Sequence, residues 1–301
     1  MQRRHFITTA LAGTGGLLLA QQQLLAALLQ QPAYKITMLG KDAGIFTEKG
    51  GTILFVMGKE GIITVDAQFP EQSQHLIDEL KKRSGQPFRL LINTHHHYDH
   101  TAGNISFKGV AEHVLAHENS LKNQQNVAIA QKTEDKQLYP DQTYGSVWNE
   151  KAAGFSYALH YFGAGHTNGD SLVYFKKQGI VHMGDLVFNR RHPFVDRSAG
   201  ANINSWISVL DKAMQQFPDK TVFVFGHAAE GYQVTGSKTD LKAFQTYLKN
   251  LLSFTAAHIA AGKSKEELLK ATEIPGSPEW KGDGIERPLT AAYEELTATT
   301  K

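Results

Sequence analysis

Between Thr94 and Thr101 the chain carries His95, His96, His97, Asp99 and His100, directly after the apolar run Leu90-Leu91-Ile92. Imidazole and carboxylate are the side chains that hold zinc-like cations through nitrogen and oxygen. In an extended segment alternate residues face one side, so His95, His97 and Asp99 can converge. His100 then opens the turn Thr101-Ala102-Gly103-Asn104 and can reach a second ion. A solvated polyhistidine loop, or core histidines satisfied by backbone groups, is the plainer alternative. It must explain five ligand-type residues packed behind a buried strand. Protonating adjacent imidazoles together costs repulsion, and burying them unpartnered costs desolvation. A bound cation relieves both.

The elements that must present this stretch follow from pattern. Short strands are expected over Tyr34–Leu39 and Gly44–Phe46, and clearer ones over Thr52–Met57 and Ile62–Asp66. An amphipathic helix over Pro70–Ser84, with proline early and Gly85 past its end, leads to the strand Arg89–Asn93 before the histidines. Val110–Leu115 is a further strand, and its neighbours His113 and His117 are not expected as ligands. Residues 118–153 are polar and read as a helix followed by a loop. Tyr157–Phe162, Ser171–Phe175, Ile180–Met183 and Thr221–Phe225 are strands, with helices over Asn204–Phe217, Asp240–Phe254, Ser264–Ala271 and Leu289–Leu296. His182 is expected to pack in the core.

Composition narrows the function classes. With 301 residues and 41% hydrophobic content the chain suits one large domain. The formal charge is +2, and Arg3 and Arg4 supply two positives in a leader without acids, so the remaining body is formally neutral. A neutral body gives no electrostatic case for nucleic acid. The absence of cysteine excludes disulfides, thiolate ligands and a thiol nucleophile together. Residues 1–33 are expected to be a signal peptide rather than fold. The Arg3-Arg4 pair and the glycine-containing apolar stretch Ile7–Ala20 resemble a bacterial twin-arginine export signal, too short for a stable membrane span. Cleavage has several small residues to choose from, Ala20, Ala26, Ala27 and Ala33. The expected location is periplasmic, with no stable membrane anchor after signal removal.

The histidine stretch resembles the His-x-His-x-Asp-His signature of the metallo-β-lactamase superfamily, here His95-x-His97-x-Asp99-His100. The resemblance covers roughly residues 45–250. It implies an α/β (α+β) fold, the four-layer αββα metallo-β-lactamase sandwich, over residues 34–301 with a C-terminal helical extension. It also implies a further histidine, a bridging aspartate and a final histidine, and Gly165-His166, Gly184-Asp185 and Gly226-His227 stand in that order. In the family an acid at the place of Asp66 supports the site from behind the ligands; a turn or helix-capping aspartate is the other reading. The family usually has glycine after the final histidine, whereas this chain has Ala228.

The implied assignment puts His95, His97 and His166 on one ion and Asp99, His100 and His227 on the other, with Asp185 and a water between them. Such a pair lowers the pKa of the water towards ~7 and stabilises a developing oxyanion. Asp99 is also the candidate catalytic proton shuttle. Zinc, two per chain, is the expected cofactor, with iron or manganese still open. The superfamily's diiron flavoproteins carry glutamate where His97 stands. Arg190, Arg191 and His192, with Arg197, either hold an anionic small-molecule substrate or are solvated surface charge. The expected activity is hydrolysis of an ester, lactone, thioester or amide. A β-lactamase proper and a non-catalytic periplasmic metal-binding protein are the alternatives, and a nuclease of the same fold is disfavoured by the neutral body.

Overall fold

The computed structural model describes residues 34–298, so the expected signal peptide lies outside the described residues. Two mixed sheets dominate it. The first runs β1 (Lys35–Met38), β2 (Ala43–Thr47), β3 (Ile53–Met57), β4 (Ile62–Val65), β5 (Phe88–Ile92), β6 (Ala111–His117) and β7 (Gln142–Tyr144), with spatial order following chain order. β2, β3 and β4 pair antiparallel; β4 through β7 pair parallel. The second sheet contains β8 (Val147–Ala152), β9 (Phe155–His160), β10 (Leu172–Phe175), β11 (Ile180–His182), β13 (Val222–Val224) and β15 (Thr235–Gly236), ordered β15-β13-β11-β10-β9-β8. A two-strand parallel ribbon joins β12 (Phe188–Asn189) to β14 (His227–Ala228).

Alternation along the strands builds the core between the sheets. Leu54, Val56, Ile63, Val65, Leu90 and Ile92 of the first meet Tyr157, Leu159, Val173 and Phe175 of the second. The other face of the second sheet, with Leu172, Val181 and Phe223, packs on the helices Ile203–Gln216, Lys238–Ala260 and Glu286–Ala298 through Trp206, Leu210, Phe244, Leu248 and Leu289. On the first sheet's other side the helix Pro70–Arg83 buries Leu76, Ile77 and Leu80. Helix, sheet, sheet and helix form the four-layer αββα sandwich. No helix among the described residues is long and apolar enough to cross a membrane.

The 118–153 segment departs from expectation. Its helix spans Glu118–Gln131, but the rest supplies β7 and β8 where a loop was expected. Both are edge strands of their sheets, and β8 is largely exposed, so no apolar alternation marks it. The long C-terminal helix also exceeds its apolar stripe, spanning Lys238–Ala260. Ser237 and Asp240 form a reciprocal capping box at its start.

Candidate metal centre

The histidine stretch leaves the first sheet at the end of β5. Asn93 N donates to Leu115 O (2.9 Å), and a short helical turn, Tyr98–Thr101, follows. The other donors follow strands of the second sheet: His166 after β9, Asp185 after β11 and His227 after β13. All seven meet. His97 Nδ1 lies 3.1 Å from His95 Nε2 and 2.8 Å from His166 Nε2. His227 Nε2 lies 3.1 Å from Asp99 Oδ2. Asp185 stands against both groups: its Oδ2 is 3.5 Å from His166 Nε2 and 3.4 Å from His227 Nε2, and its Oδ1 is 3.1 Å from His100 Nε2.

What stands behind four of the five donor imidazoles settles which nitrogen faces inward. The carbonyl of Phe194 can only accept, so His166 Nδ1 donates to it (2.8 Å) and Nε2 keeps its lone pair. Asp196 Oδ2 does the same for His97 Nε2 (2.9 Å), leaving Nδ1 inward. Asp66 Oδ2 lies 2.7 Å from His100 Nδ1 and also accepts from Thr94 Oγ1 (2.7 Å), while Asp66 Oδ1 accepts from Thr94 N (2.7 Å). With its proton so engaged, Thr94 Oγ1 accepts from His95 Nδ1 (3.0 Å). Asp66 thus supports the cluster from behind, the first of its two readings.

Three inward lone pairs within 4.8 Å of one another repel unless a cation sits between them, and burial keeps protons from taking that place. Burial, then the neighbouring His97, holds His166 down to about 3. Burial and His100 lower His95 as well. In the second group a proton can substitute for a cation. Burial alone would lower His227, but Asp185 and Asp99 raise it to about 9. His100 is likewise raised, by Asp185, Asp66 and Asp99 against its burial. Asp99 falls to about 2 because His100 and His227 outweigh its desolvation. His100 Nε2 and Asp185 Oδ1 are buried without a well-formed hydrogen bond. The nitrogen and oxygen donors, their inward lone pairs and these two orphaned atoms fit metal ions. Two glycines serve close approach: a Cβ at Gly226, just before His227, would collide with Asp185 Oδ1, and one at Gly51, on a separate segment, with the His100 ring. Ala228 pairs with Asn189 in the β12–β14 ribbon and is not in the left-handed conformation that would call for glycine.

A cavity of about 590 Å³ opens over the donors, lined among others by Tyr98, Asp99, Phe188, Arg191, His192 and Phe194. Arg191 and His192 therefore stand at the site. Arg190 does not line the cavity: in the left-handed conformation (φ 57°) it turns the other way, donating to Glu279 Oε2 (3.2 Å) and lying 5.0 Å from the Trp280 ring. Arg197 donates to Glu295 Oε2 (3.2 Å). The opposite wall comes from Asp283, Gly284, Glu286 and Arg287, which no motif announced. Asp196 was equally silent in the sequence. His113 and His117 lie outside the cluster; His113 faces Asp141 and His117 faces Gly145 O. His182 is buried between the sheets, with Nε2 2.9 Å from Thr52 O and Nδ1 accepting from Gly184 N (3.0 Å).

An αββα sandwich with two groups of histidine and aspartate gathered where both sheets end is the architecture of the metal-dependent hydrolase fold. Residues 46–227 match the family model of the metallo-beta-lactamase superfamily, and the chain belongs to that family. It is 24% identical over 214 residues to a metallo-beta-lactamase of Chryseobacterium indologenes, covering 69% of this chain and 85% of that one. Among solved structures, a metallo-beta-lactamase from Pontibacter korlensis matches with a TM-score of 0.61 at 23% identity, over 72% of this chain and 99% of the other. A double mutant of a sec-alkyl sulfatase matches with a TM-score of 0.68 at 13% identity, over 87% of this chain and 50% of the other. At these identities the structural likeness is one of fold.

Proposed function

We propose that the chain is an exported hydrolase whose donor groups hold two metal ions, zinc foremost, and which cleaves an ester, lactone, thioester or amide bond of a small molecule. The observation that carries this reading is Asp185, a single buried carboxylate set against both groups. His95, His97 and His166 would hold one ion and Asp99, His100 and His227 the other, with Asp185 offering an oxygen to each. Ions held there supply Lewis acidity toward a carbonyl oxygen and a water that ionises near neutral pH. Nitrogen and oxygen donors without thiolate suit zinc, and also iron or manganese.

The chain's own residues do the rest. Asp99, a third exposed and facing the cavity, stands where a carboxylate can take a proton and pass it to a leaving group. Tyr98, Phe188 and Phe194 offer apolar surface to the substrate's body, and Arg191 with His192 can orient a polar end by charge-assisted or neutral hydrogen bonds. Arg3-Arg4 and the apolar stretch after it support export through the twin-arginine route.

Similarity to proteins named as metallo-beta-lactamases favours β-lactam hydrolysis as a second reading. Metal analysis of the purified protein, joined to a panel of nitrocefin, lactones, thioesters and simple esters, tests both. Two ions per chain and turnover of one class are expected, with both reduced in Asp185→Ala. Metal loss in that variant without change of turnover would refute the dinuclear mechanism. Tight metal with no turnover of any member would make the protein a metal-binding protein instead.

A further inference from the structure

The loop between β12 and the helix Ile203–Gln216 holds two metal-site histidines from behind, through Phe194 O on His166 and Asp196 Oδ2 on His97. Asp196 is itself fixed locally: its Oδ1 accepts from Ser198 Oγ (2.5 Å) and Ala199 N (3.1 Å), and its carbonyl accepts from Ala201 N (2.9 Å). The loop is also tied to the His166 turn, where Asn202 N donates to Gly165 O (3.1 Å). Something must then hold the loop's far end.

That holder is Glu295, a buried residue of the last helix, Glu286–Ala298. Its Oε2 accepts from Ile203 N (2.8 Å) and Arg197 Nη1 (3.2 Å), and its Oε1 accepts from Asn204 N (3.0 Å) and Asn204 Nδ2 (2.9 Å). A helix begins with N–H groups that have no partner in the helix and with partial positive charge. Glu295 meets both needs for Ile203–Gln216, while Asn202 Oδ1 takes Ser205 N (2.7 Å). Arg197 in turn donates to Ala201 O (3.1 Å), so the carboxylate grips both the loop and the helix it enters. At the loop's other end Arg190 is fixed to Glu279 and Trp280. Both attachments lie beyond residue 227, where the family match stops.

We infer that Glu295 is a positioning residue of the metal centre, acting through residues 194–202 to keep His97 and His166 aimed at their ion. The inference rests on the metallo-hydrolase reading. It makes the C-terminal segment part of the site twice over, as the brace of this loop and as the cavity wall from Asp283 to Arg287.

The test uses the full chain loaded with zinc, and separately with cobalt(II), whose visible spectrum reports ligand geometry. Wild type, Glu295→Ala, Glu295→Gln and the control Glu294→Ala are compared, the control lying on the same helix as Glu295 and losing only an exposed ion pair with Lys265. Release of metal to excess chelator should quicken roughly tenfold in Glu295→Ala, the usual scale for partners behind a ligand. Its cobalt spectrum should shift, and amide exchange at Ala199 and Ala201 should rise. Glu295→Gln keeps one accepting oxygen and should fall between; if the alanine variant does not fold, the glutamine variant carries the test. Glu294→Ala should match wild type. Folded Glu295 variants with wild-type release, spectrum and exchange would overturn the inference while leaving the hydrolase reading intact. A wild type that takes up no metal would overturn both.

Discussion

Asp66 Oδ2 lies 2.7 Å from His100 Nδ1, and neither side chain has any exposure to solvent. The same carboxylate holds Thr94 and, through its hydroxyl, His95, so one acid sets the orientation of a donor in each group. Asp66→Asn keeps the volume but weakens the acceptor, and should lower affinity at the His100 group by about 10- to 100-fold. Chelator competition, resolved into two binding steps, checks this; equal affinities in variant and wild type would contradict it.

Gly226 has no room for a methyl group beside Asp185 Oδ1. Gly226→Ala should therefore push that carboxylate off its position and reduce the metal-to-protein ratio, with far-UV circular dichroism unchanged. Full metal content in the variant would show that Asp185 does not need its observed place.

At the second group protons would compete with a bound metal ion. His227, raised to about 9 from an ordinary 6.5, adds stability to the metal-free chain that is full below pH 6.5 and lost as pH rises through about 9; His100 acts in the same direction. Asp99, lowered from 3.8 to about 2, adds stability present above pH 3.8 and lost as pH falls through about 2. His166 works oppositely to His227, since its folded-state value of about 3 removes stability as pH drops from 6.5 towards 3. The metal-free chain should thus melt at lower temperature at pH 9 than at pH 6.5. Metal uptake at pH 7.5 should release protons, seen as a calorimetric heat that depends on the buffer's ionisation enthalpy. No buffer dependence would refute the assignment.

Phe244 is fully buried, with ring centroids of Trp206 at 5.4 Å, Tyr247 at 5.9 Å and Phe188 at 6.3 Å. Phe188 in turn stacks on His227 at 5.6 Å. Phe244→Ala should cost about 3–5 kcal/mol of stability by leaving a cavity. Denaturant unfolding measures it, and a loss below about 1 kcal/mol would mean that the rings repack.

The donors themselves were legible because they sit in short, conspicuous contexts: a cluster after an apolar strand, then glycine before each of His166, Asp185 and His227. Asp66 was legible only as an alternative, since an aspartate closing a strand looks the same whether it caps a turn or backs a histidine. Asp196 and Phe194 were not legible, because one acts through a loop carboxylate without periodicity and the other through its carbonyl. β8 was missed because an exposed edge strand with Asn149, Glu150 and Lys151 has no buried face to pattern. The wall at Asp283–Arg287 and the grip of Glu295 depend on contacts spanning some ninety positions, and no local composition signals those.

The donors hang from different halves of the molecule, His97 past the end of a strand of one sheet and His166 past the end of a strand of the other. A cation clasped by both would rivet the halves together in a chain that has no cysteine to form a covalent staple. Chelation would then do to this protein what reduction does to a disulfide-laced one, lowering the temperature at which the core shared by the two halves comes apart.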